Sequence, residues 1–293
     1  ASSIDYLQFT NNFQILSDAS FAQITGLDGI LLKNPYGTYG DGRNNITLGA
    51  TAETKFGNTI SLIGGDSGGD TIDLSGTTKK VYVDNTYGYN GDTITAGTNN
   101  NTLIGGAGAY ANDLFIFTSG SNLSGASIVG GGGTDTLRLS ANGWSILDGE
   151  VFVDADNDGI WDAAEVLTFD QNSNGVWDAG DVFTDSNSNG TWDAGEAFID
   201  ENADTIRNSG SQYNALKTLS DIEVLDINGG GNKIKLGTSI AKGIQTIVGG
   251  TGPNTIDAAN YNSAPNALTW NMNASNGSDV LLGGADGNLF QIK

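Results

Sequence analysis

Three short segments carry acidic and amide side chains at a spacing that suits a bound cation. They read DADNDGIWDAAE from Asp154, DQNSNGVWDAGD from Asp170 and DSNSNGTWDAGE from Asp185. Oxygen ligands at alternate positions of a twelve-residue loop, with glycine at position six and a carboxylate at position twelve, wrap a cation of calcium's size. The pattern predicts bound Ca²⁺. The candidate ligands, with main-chain carbonyls at position seven, are Asp154, Asp156, Asp158, Ile160, Asp162, Glu165, Asp170, Asn172, Asn174, Val176, Asp178, Asp181, Asp185, Asn187, Asn189, Thr191, Asp193 and Glu196.

The loops differ in detail. Loop two ends in Asp181, one methylene shorter than the glutamates that end the other two, so we expect it to bind its ion most weakly or to use a neighbouring oxygen. A partial fourth loop begins at Asp200, which we add to the candidate ligands. Each complete loop has Trp at position eight. We interpret these tryptophans as the apolar core of a small module, with a carbohydrate platform as the alternative.

The loops resemble EF-hand calcium loops position by position, but their spacers are too short for EF-hand helices. Only three or four residues separate one loop from the next. The helix opening of calcium sensors is therefore not available. The short period is similar to the calcium repeats of thrombospondin type 3 and of bacterial matrix proteins, which implies ions with a structural role. Segment 150–204 has 15 acidic residues and no Lys or Arg, so we expect it to unfold when its cations are removed.

The residue types that are missing narrow the chemistry further. The 293-residue chain contains no cysteine and no histidine, which excludes disulfides, thiol chemistry, Ser-His-Asp catalysis and imidazole metal sites. No set of acid, base and nucleophile can be grouped, so the sequence predicts no catalytic residues and no enzyme. The formal net charge of −22 disfavours nucleic acid and anionic membranes as partners. No apolar run is long enough to insert into a bilayer.

Short alternating segments outside the loops predict β-strands. The chain has 44 glycines and only 3 prolines, and it has no sustained apolar stripe at helical spacing. We therefore predict an all-β fold, either a β-solenoid or a stack of short strands, with a loop-rich insertion. The alternating pairs include Ile46 and Leu48, Ile60 and Leu62, Ile72 and Leu74, Val81 and Val83, Phe115 and Phe117, Leu137 and Leu139, and Ile234 and Leu236.

The chain also matches itself over a long period. NNITLG at 44–49 matches NKIKLG at 232–237, SLIGGDSGGDTIDLS at 61–75 matches TIVGGTGPNTIDAA at 246–259, and TLIGGAGAYANDLFIF at 102–117 matches VLLGGADGNLFQI at 280–292. We predict two copies of a β-repeat. Copy one is 1–134 and copy two is 135–149 with 205–293, interrupted by a calcium-binding cassette at 150–204. Neither end carries a polar cap, which favours a segment of a longer periodic protein over a closed domain.

A nine-residue stretch carries a further resemblance. Gly130 to Arg138 reads GGGGTDTLR and matches the G-G-x-G-x-D-x-U-x nonapeptide of RTX proteins, where U is a large apolar residue. In that family the motif stands in tandem and binds calcium between successive turns. Here its copies are scattered, so we predict glycine corners of a solenoid more readily than calcium sites. The resemblance implies a secreted bacterial surface protein.

These observations favour a calcium-stabilised extracellular structural protein that assembles with itself into a surface layer or filament. The alternative is a stalk or binding module of a large repeat adhesin, which flanking sequence would distinguish. The third hypothesis is an exported β-helix enzyme that acts on polysaccharide. It is disfavoured because the chain has only three arginines that could bind acidic sugars. The expected partner is a second copy of the chain, and a cell-surface polysaccharide is a further candidate.

Overall fold

Alternation of apolar and polar residues produces the strands, because successive side chains of a strand point to opposite faces. Ile60 and Leu62 are fully buried, whereas their neighbour Thr59 is exposed. The structure is a computed structural model. It describes residues 5–9, 13–32, 43–64, 69–99, 101–119, 121, 123, 126–142, 145–146, 166–169, 182–184, 216–236, 241–250, 252–258, 269–272, 280–283 and 289–292.

Most strands are two to five residues long and are separated by glycine-rich and asparagine-rich turns. In chain order they are β1 Tyr6–Gln8, β2 Ile15–Leu16, β3 Gly29–Leu31, β4 Asn45–Thr47, β5 Thr59–Ile63, β6 Thr71–Asp73, β7 Lys80–Asp84, β8 Thr93–Thr95, β9 Asn101–Ile104, β10 Leu114–Phe117, β11 Ala126–Val129, β12 Thr136–Leu139, β13 Ser145–Ile146, β14 Val166–Phe169, β15 Val182–Thr184, β16 Leu216–Ser220, β17 Val224–Ile227, β18 Lys233–Lys235, β19 Ala241–Lys242, β20 Thr246–Val248, β21 Thr255–Asp257, β22 Thr269–Met272, β23 Val280–Leu282 and β24 Leu289–Ile292.

The strands form three parallel sheets that wind around one core. The first sheet has the order β1-β3-β5-β7-β9-β11-β16-β19, the second β2-β4-β6-β8-β10-β12-β17-β20-β22-β24, and the third β13-β18-β21-β23. The chain passes from one sheet to the next and then returns one strand further along. This is a parallel β-solenoid, so the predicted all-β fold is confirmed.

The core consists of apolar side chains stacked in register from coil to coil. In the second sheet Ile72 pairs with Ile94, Ile94 with Phe115, and Phe115 with Leu137. The column continues through Leu225 in β17. All five side chains are buried. Because each such side chain contributes about 1.5–3 kcal/mol on burial, the stack is a major source of stability.

Two short helices lie beside the first coils. A 3₁₀-helix spans Asp18–Phe21, and α1 spans Ala50–Glu53. The Asp18 carboxylate accepts hydrogen bonds from the main-chain N–H groups of Gly49, Thr51 and Ala52 at 2.9, 3.1 and 2.7 Å. It thus satisfies donors at the start of α1 that have no partner within the helix. No helix in the described ranges is long and apolar enough to cross a membrane.

The chain divides into two compact units. One contains Ala1–Asp148 and Gly210–Lys293, and the other contains Gly149–Ser209. Within the second unit β14 and β15 pair antiparallel. The strands β12 and β17 are adjacent in the second sheet of the solenoid although the whole second unit lies between them in sequence.

The solenoid has a shorter period than the sequence duplication. Equivalent residues of successive coils are 21, 22 and 26 positions apart in the first half of the chain. Two matching blocks also fall in different sheets, since NNITLG contains β4 of the second sheet and NKIKLG contains β18 of the third. The coil is therefore the structural repeat. The division into copies at 1–134 and at 135–149 with 205–293 stays a prediction.

Candidate functional site

The predicted calcium ligands lie outside the described residues. This holds for all three loops from Asp154 to Glu196 and for Asp200. The strands that separate the loops are described. Val166 of β14 follows loop one directly, and Phe169 and Val182 flank loop two. The calcium sites therefore stay predictions, while the spacers between loops one, two and three form strands.

The two spacer strands pair with each other. Val166 pairs with Thr184, Leu167 with Phe183, and Phe169 with Val182, with a register shift between Leu167 and Phe169. Loop two, residues 170–181, lies between these paired strands in sequence.

The RTX-like stretch forms a corner between the first and second sheets. Gly131 and Gly133 have φ angles of 102° and 119°, which L-residues with a side chain rarely adopt. A Cβ built on Gly130 would lie 1.7 Å from the main-chain oxygen of Asp221 in the next coil. Arg138, at the end of the stretch, lies in β12 and donates to Asp226 at 2.7 Å. This geometry supports the predicted role of the stretch as a glycine corner.

Polar side chains form a ladder along this corner. Asn44, Asp70, Asp92, Asp113 and Asp135 each precede a strand of the second sheet, and each is no more than 3% exposed. We call these five residues the corner ladder. Asp135 is the aspartate of the RTX-like stretch, and the other members occupy the same place in earlier coils.

Hydrogen bonds connect the ladder from coil to coil. The main-chain N–H of Asp70 donates to Oδ1 of Asp92 at 2.6 Å, that of Asp92 to Oδ1 of Asp113 at 2.6 Å, and that of Asp113 to Oδ1 of Asp135 at 2.7 Å. The main-chain N–H of Asp135 donates to Oε2 of Glu223 at 2.7 Å. Each carboxyl group therefore satisfies a main-chain donor that the parallel strand ladder does not reach, and a hydrogen bond within a folded protein contributes about 0.5–1.5 kcal/mol.

The second carboxylate oxygens differ along the ladder. Oδ2 of Asp113 accepts the main-chain N–H of Gly106 at 2.8 Å, and Oδ2 of Asp92 accepts Nδ2 of Asn85. Oδ2 of Asp135 is buried and has no hydrogen-bond partner in the described part of the chain. Burial without a partner disfavours the charged form of a carboxyl group.

Burial and like charge shift two of these carboxyl groups. Burial raises the pKa of Asp113 to about 7, and the charge of Asp92 adds to the effect although N–H donors oppose it. Burial likewise raises the pKa of Asp135 to about 7, with contributions from Asp113, Glu223 and Asp221. These two carboxyl groups are thus partly protonated near neutral pH.

A neutral ladder occupies the corner between the second and third sheets. The main-chain N–H and Nδ2 of Asn232 donate to Oδ1 of Asn254 at 3.2 and 2.8 Å. Asn254 stands where GGTGPNTID departs from the RTX pattern by having Asn instead of Asp. The amide makes the coil-to-coil hydrogen bond without a charge, so the bond does not depend on pH near neutrality.

Metal geometry and comparisons with known proteins complete the description of the site. Among the described residues, no cluster of three or more carboxylates is arranged to hold a metal ion.

Comparison with protein-family models, curated proteins and solved structures yields no match. The RTX, surface-layer and calcium-repeat resemblances therefore rest on the sequence motifs alone.

Sequence reasoning identified Asp135 through its motif but missed the rest of the ladder. A signal is present, because Asp-Thr-Ile occurs at 70–72 and again at 92–94, and Asp113 directly precedes the apolar alternation of β10. An acidic or amide residue directly before a strand, repeated every 21 to 26 positions, could have indicated the ladder.

Proposed function

We propose that the protein is a calcium-stabilised extracellular structural protein that assembles end to end into a filament or surface layer. The observation that carries the proposal is the first coil of the solenoid. In the described residues β1 pairs only with β3, and β2 pairs only with β4. The exposed side chains beside these open edges are large and apolar: Tyr6, Phe13 and Ile15 are 41%, 63% and 81% exposed.

The opposite end of the solenoid offers a complementary edge. β23 pairs on one side with β21 in the described residues, and its Val280 and Leu282 side chains are half exposed. A parallel strand edge accepts a further parallel strand by main-chain hydrogen bonds. Because the two ends differ, a second copy of the chain would dock head to tail, and a head-to-tail contact that does not close extends into a filament.

Calcium enters the proposal through the cassette. Segment 150–204 concentrates 15 acidic residues without a Lys or Arg, and its loops carry the oxygen spacing that calcium prefers. Bound cations would neutralise this charge and stiffen the segment. Millimolar calcium outside the cell is sufficient for a structural site of this kind, which supports an extracellular location.

Electron microscopy of the purified protein tests the proposal. We expect sheets or fibres in millimolar calcium that dissolve when a chelator is added. Ile15→Lys should prevent assembly because it places a charge beside the open edge of β2. Tyr110→Lys changes a similarly exposed residue between β9 and β10, several coils away, and should not prevent assembly. A monodisperse monomer both with calcium and with chelator would refute self-assembly.

A specific observation favours the binding-module alternative as well. Three exposed tyrosines lie on turns of two successive coils, away from the open edges of β1 and β2. Because a contiguous exposed apolar group is typical of an interaction site, this group supports the alternative.

A further inference from the structure

Three tyrosines form an exposed group on the corner between the first and second sheets. Tyr87 and Tyr89 lie on the turn from β7 to β8, and Tyr110 lies on the turn from β9 to β10; they are 69%, 59% and 84% exposed. We call them the tyrosine patch. Tyr110 forms a parallel bridge with Asn90, so the two turns are direct neighbours in the stack.

Main-chain hydrogen bonds hold the two turns rigidly together. The N–H of Ala107 donates to the oxygen of Thr86 at 3.1 Å, and the N–H of Gly108 donates to the oxygen of Gly88 at 3.2 Å. A Cβ on Gly108 would lie 2.8 Å from the Cα of Tyr89, so the close approach requires glycine there. The rings therefore stand on a preformed support, which lowers the entropic cost of binding a ligand.

The two turns that carry the patch contain no charged residue, and Asp84 directly precedes the first turn, where its Oδ1 accepts hydrogen bonds from the main-chain N–H and the hydroxyl of Thr86. The turn segments 85–91 and 105–112 read NTYGYNG and GGAGAYAN and contain no Lys, Arg, Asp or Glu, although the whole chain has a formal net charge of −22. Anionic polymers such as nucleic acids and uronic acid polymers are disfavoured by the overall charge, and no local cation compensates for it. An uncharged ligand fits this surface.

The size of the patch distinguishes a thin ligand from a protein. A tyrosine presents about 150–250 Å², so three tyrosines at the observed exposures offer roughly 300–500 Å². A stable protein interface needs about 800 Å² from each partner. The other residues of the two turns are glycine, alanine, threonine and asparagine, which provide hydrogen-bonding groups but little further apolar area.

We propose that the tyrosine patch binds a neutral polysaccharide. The apolar faces of sugar rings would stack on Tyr87, Tyr89 and Tyr110, and hydroxyl groups would bond to the tyrosine hydroxyls and to Asn90. Adjacent coils are about 4.8 Å apart, so aromatic rings on successive turns present a periodic surface to a polymer of repeating units. This proposal does not depend on self-assembly, since the patch lies away from the open edges.

Binding assays with a triple variant test the proposal. We would measure retention on cellulose, chitin and insoluble β-glucan, and migration in gels that contain dextran, mannan or starch, with alginate and pectate as anionic counterparts. All assays use the whole chain in the same millimolar calcium. The variants are Tyr87→Ala/Tyr89→Ala/Tyr110→Ala, the single Tyr110→Ala in case the triple variant does not fold, and Ile116→Ala as a control that removes a half-buried apolar side chain from β10, away from the patch and from the open edges.

We expect the wild type to bind at least one neutral polysaccharide and neither anionic polymer. The triple variant should lose at least tenfold in affinity, Tyr110→Ala should lose part of it, and Ile116→Ala should bind as the wild type does. Failure of the wild type to bind any of the neutral polysaccharides, or equal binding by the wild type and the folded triple variant, would overturn the proposal. Loss of assembly in the triple variant without polysaccharide binding by the wild type would instead identify the patch as a contact between copies.

Discussion

Asp135 and Glu223 are 88 residues apart in sequence, yet the main-chain N–H of Asp135 donates to Oε2 of Glu223 at 2.7 Å. The same relationship joins Asp113 to Asp135 over only 22 residues. The ladder therefore continues directly from β12 to β17. The residues in between include the whole unit Gly149–Ser209.

This relationship predicts that the solenoid folds without the cassette's ions. Replacing Asp154, Asp156 and Asp158 together by Ala removes three predicted ligands of loop one, so calcium should no longer order that loop. The solenoid should keep its β signal because β12 and β17 pair independently of the cassette. Circular dichroism and calcium titration calorimetry measure the two effects. Loss of the entire β signal would contradict the interpretation of 150–204 as an insertion.

The corner ladder predicts that the solenoid loses stability as the pH rises. Because the pKa of Asp135 is raised from 3.8 to about 7 in the folded state, its contribution is fully present below pH 4 and is lost as the pH rises through about 7. Asp135→Asn keeps an Oδ1 acceptor for the N–H of Asp113 without the charge, and so should stabilise the protein at pH 8 relative to the wild type. An unsatisfied buried acceptor costs about 1–3 kcal/mol, so we expect a gain of that order at pH 8.

Urea denaturation at pH 5 and pH 8 measures this effect. The free energy of unfolding should fall between the two pH values by less in Asp135→Asn than in the wild type. The control is Thr71→Asn at an exposed position of β6, which alters no titratable group and should leave the pH dependence unchanged. An identical pH dependence in the wild type and Asp135→Asn would show that Asp135 is already ionised in the folded protein.

The glycine corner predicts a steric effect that a matched glycine does not share. Gly130→Ala would place a Cβ against the main-chain oxygen of Asp221 and against Asp135, and overpacking of this kind costs about 1–3 kcal/mol. Gly57→Ala meets nothing within 4 Å and should change stability little. Thermal melts of both variants at one pH provide the comparison. Equal melting temperatures would mean that the corner can widen without cost.

The carboxylate of Asp18 predicts a separate contribution near the first coils. Asp18→Ala removes the acceptor for three N–H groups at the start of α1, and loss of a capping side chain costs about 1 kcal/mol. Burial tends to raise the pKa of Asp18, but the hydrogen bonds from Ala52, Thr51 and Gly49 outweigh it and hold the pKa below 3.8. Its contribution is therefore present above pH 4 and is lost as the pH falls below that value.

Chemical denaturation at pH 7 and at pH 3 tests this contribution. Asp18→Asn retains one oxygen acceptor and should lie between the wild type and Asp18→Ala at pH 7. The difference between the wild type and Asp18→Ala should be smaller at pH 3 than at pH 7, whereas the amide acceptor of Asp18→Asn does not titrate. An Asp18→Ala variant as stable as the wild type at pH 7 would show that water replaces the carboxylate at these N–H groups.

The local pattern was sufficient to predict the strands but not their sheets. Ile60 and Leu62 alternate with polar residues, and this period of two is a property of neighbouring positions, so the sequence predicts a strand with one buried face. The blocks NNITLG and NKIKLG look equivalent for the same reason. They lie in different sheets because the sheet of a strand is set by the strand with which it pairs in the neighbouring coil. That partner is distant in sequence.

The sequence by itself determined the all-β class, the absence of histidine and cysteine chemistry and the oxygen spacing of the predicted calcium loops, since each of these depends on residue type and near neighbours. Only the tertiary structure decided that Asp70, Asp92, Asp113 and Asp135 share one buried ladder and that Tyr87, Tyr89 and Tyr110 share one exposed corner. Both groups arise from the stacking of coils, which brings together residues about twenty positions apart. The raised pKa of Asp113 and Asp135 follows from the same stacking, because burial and like charge exist only once the coils are packed.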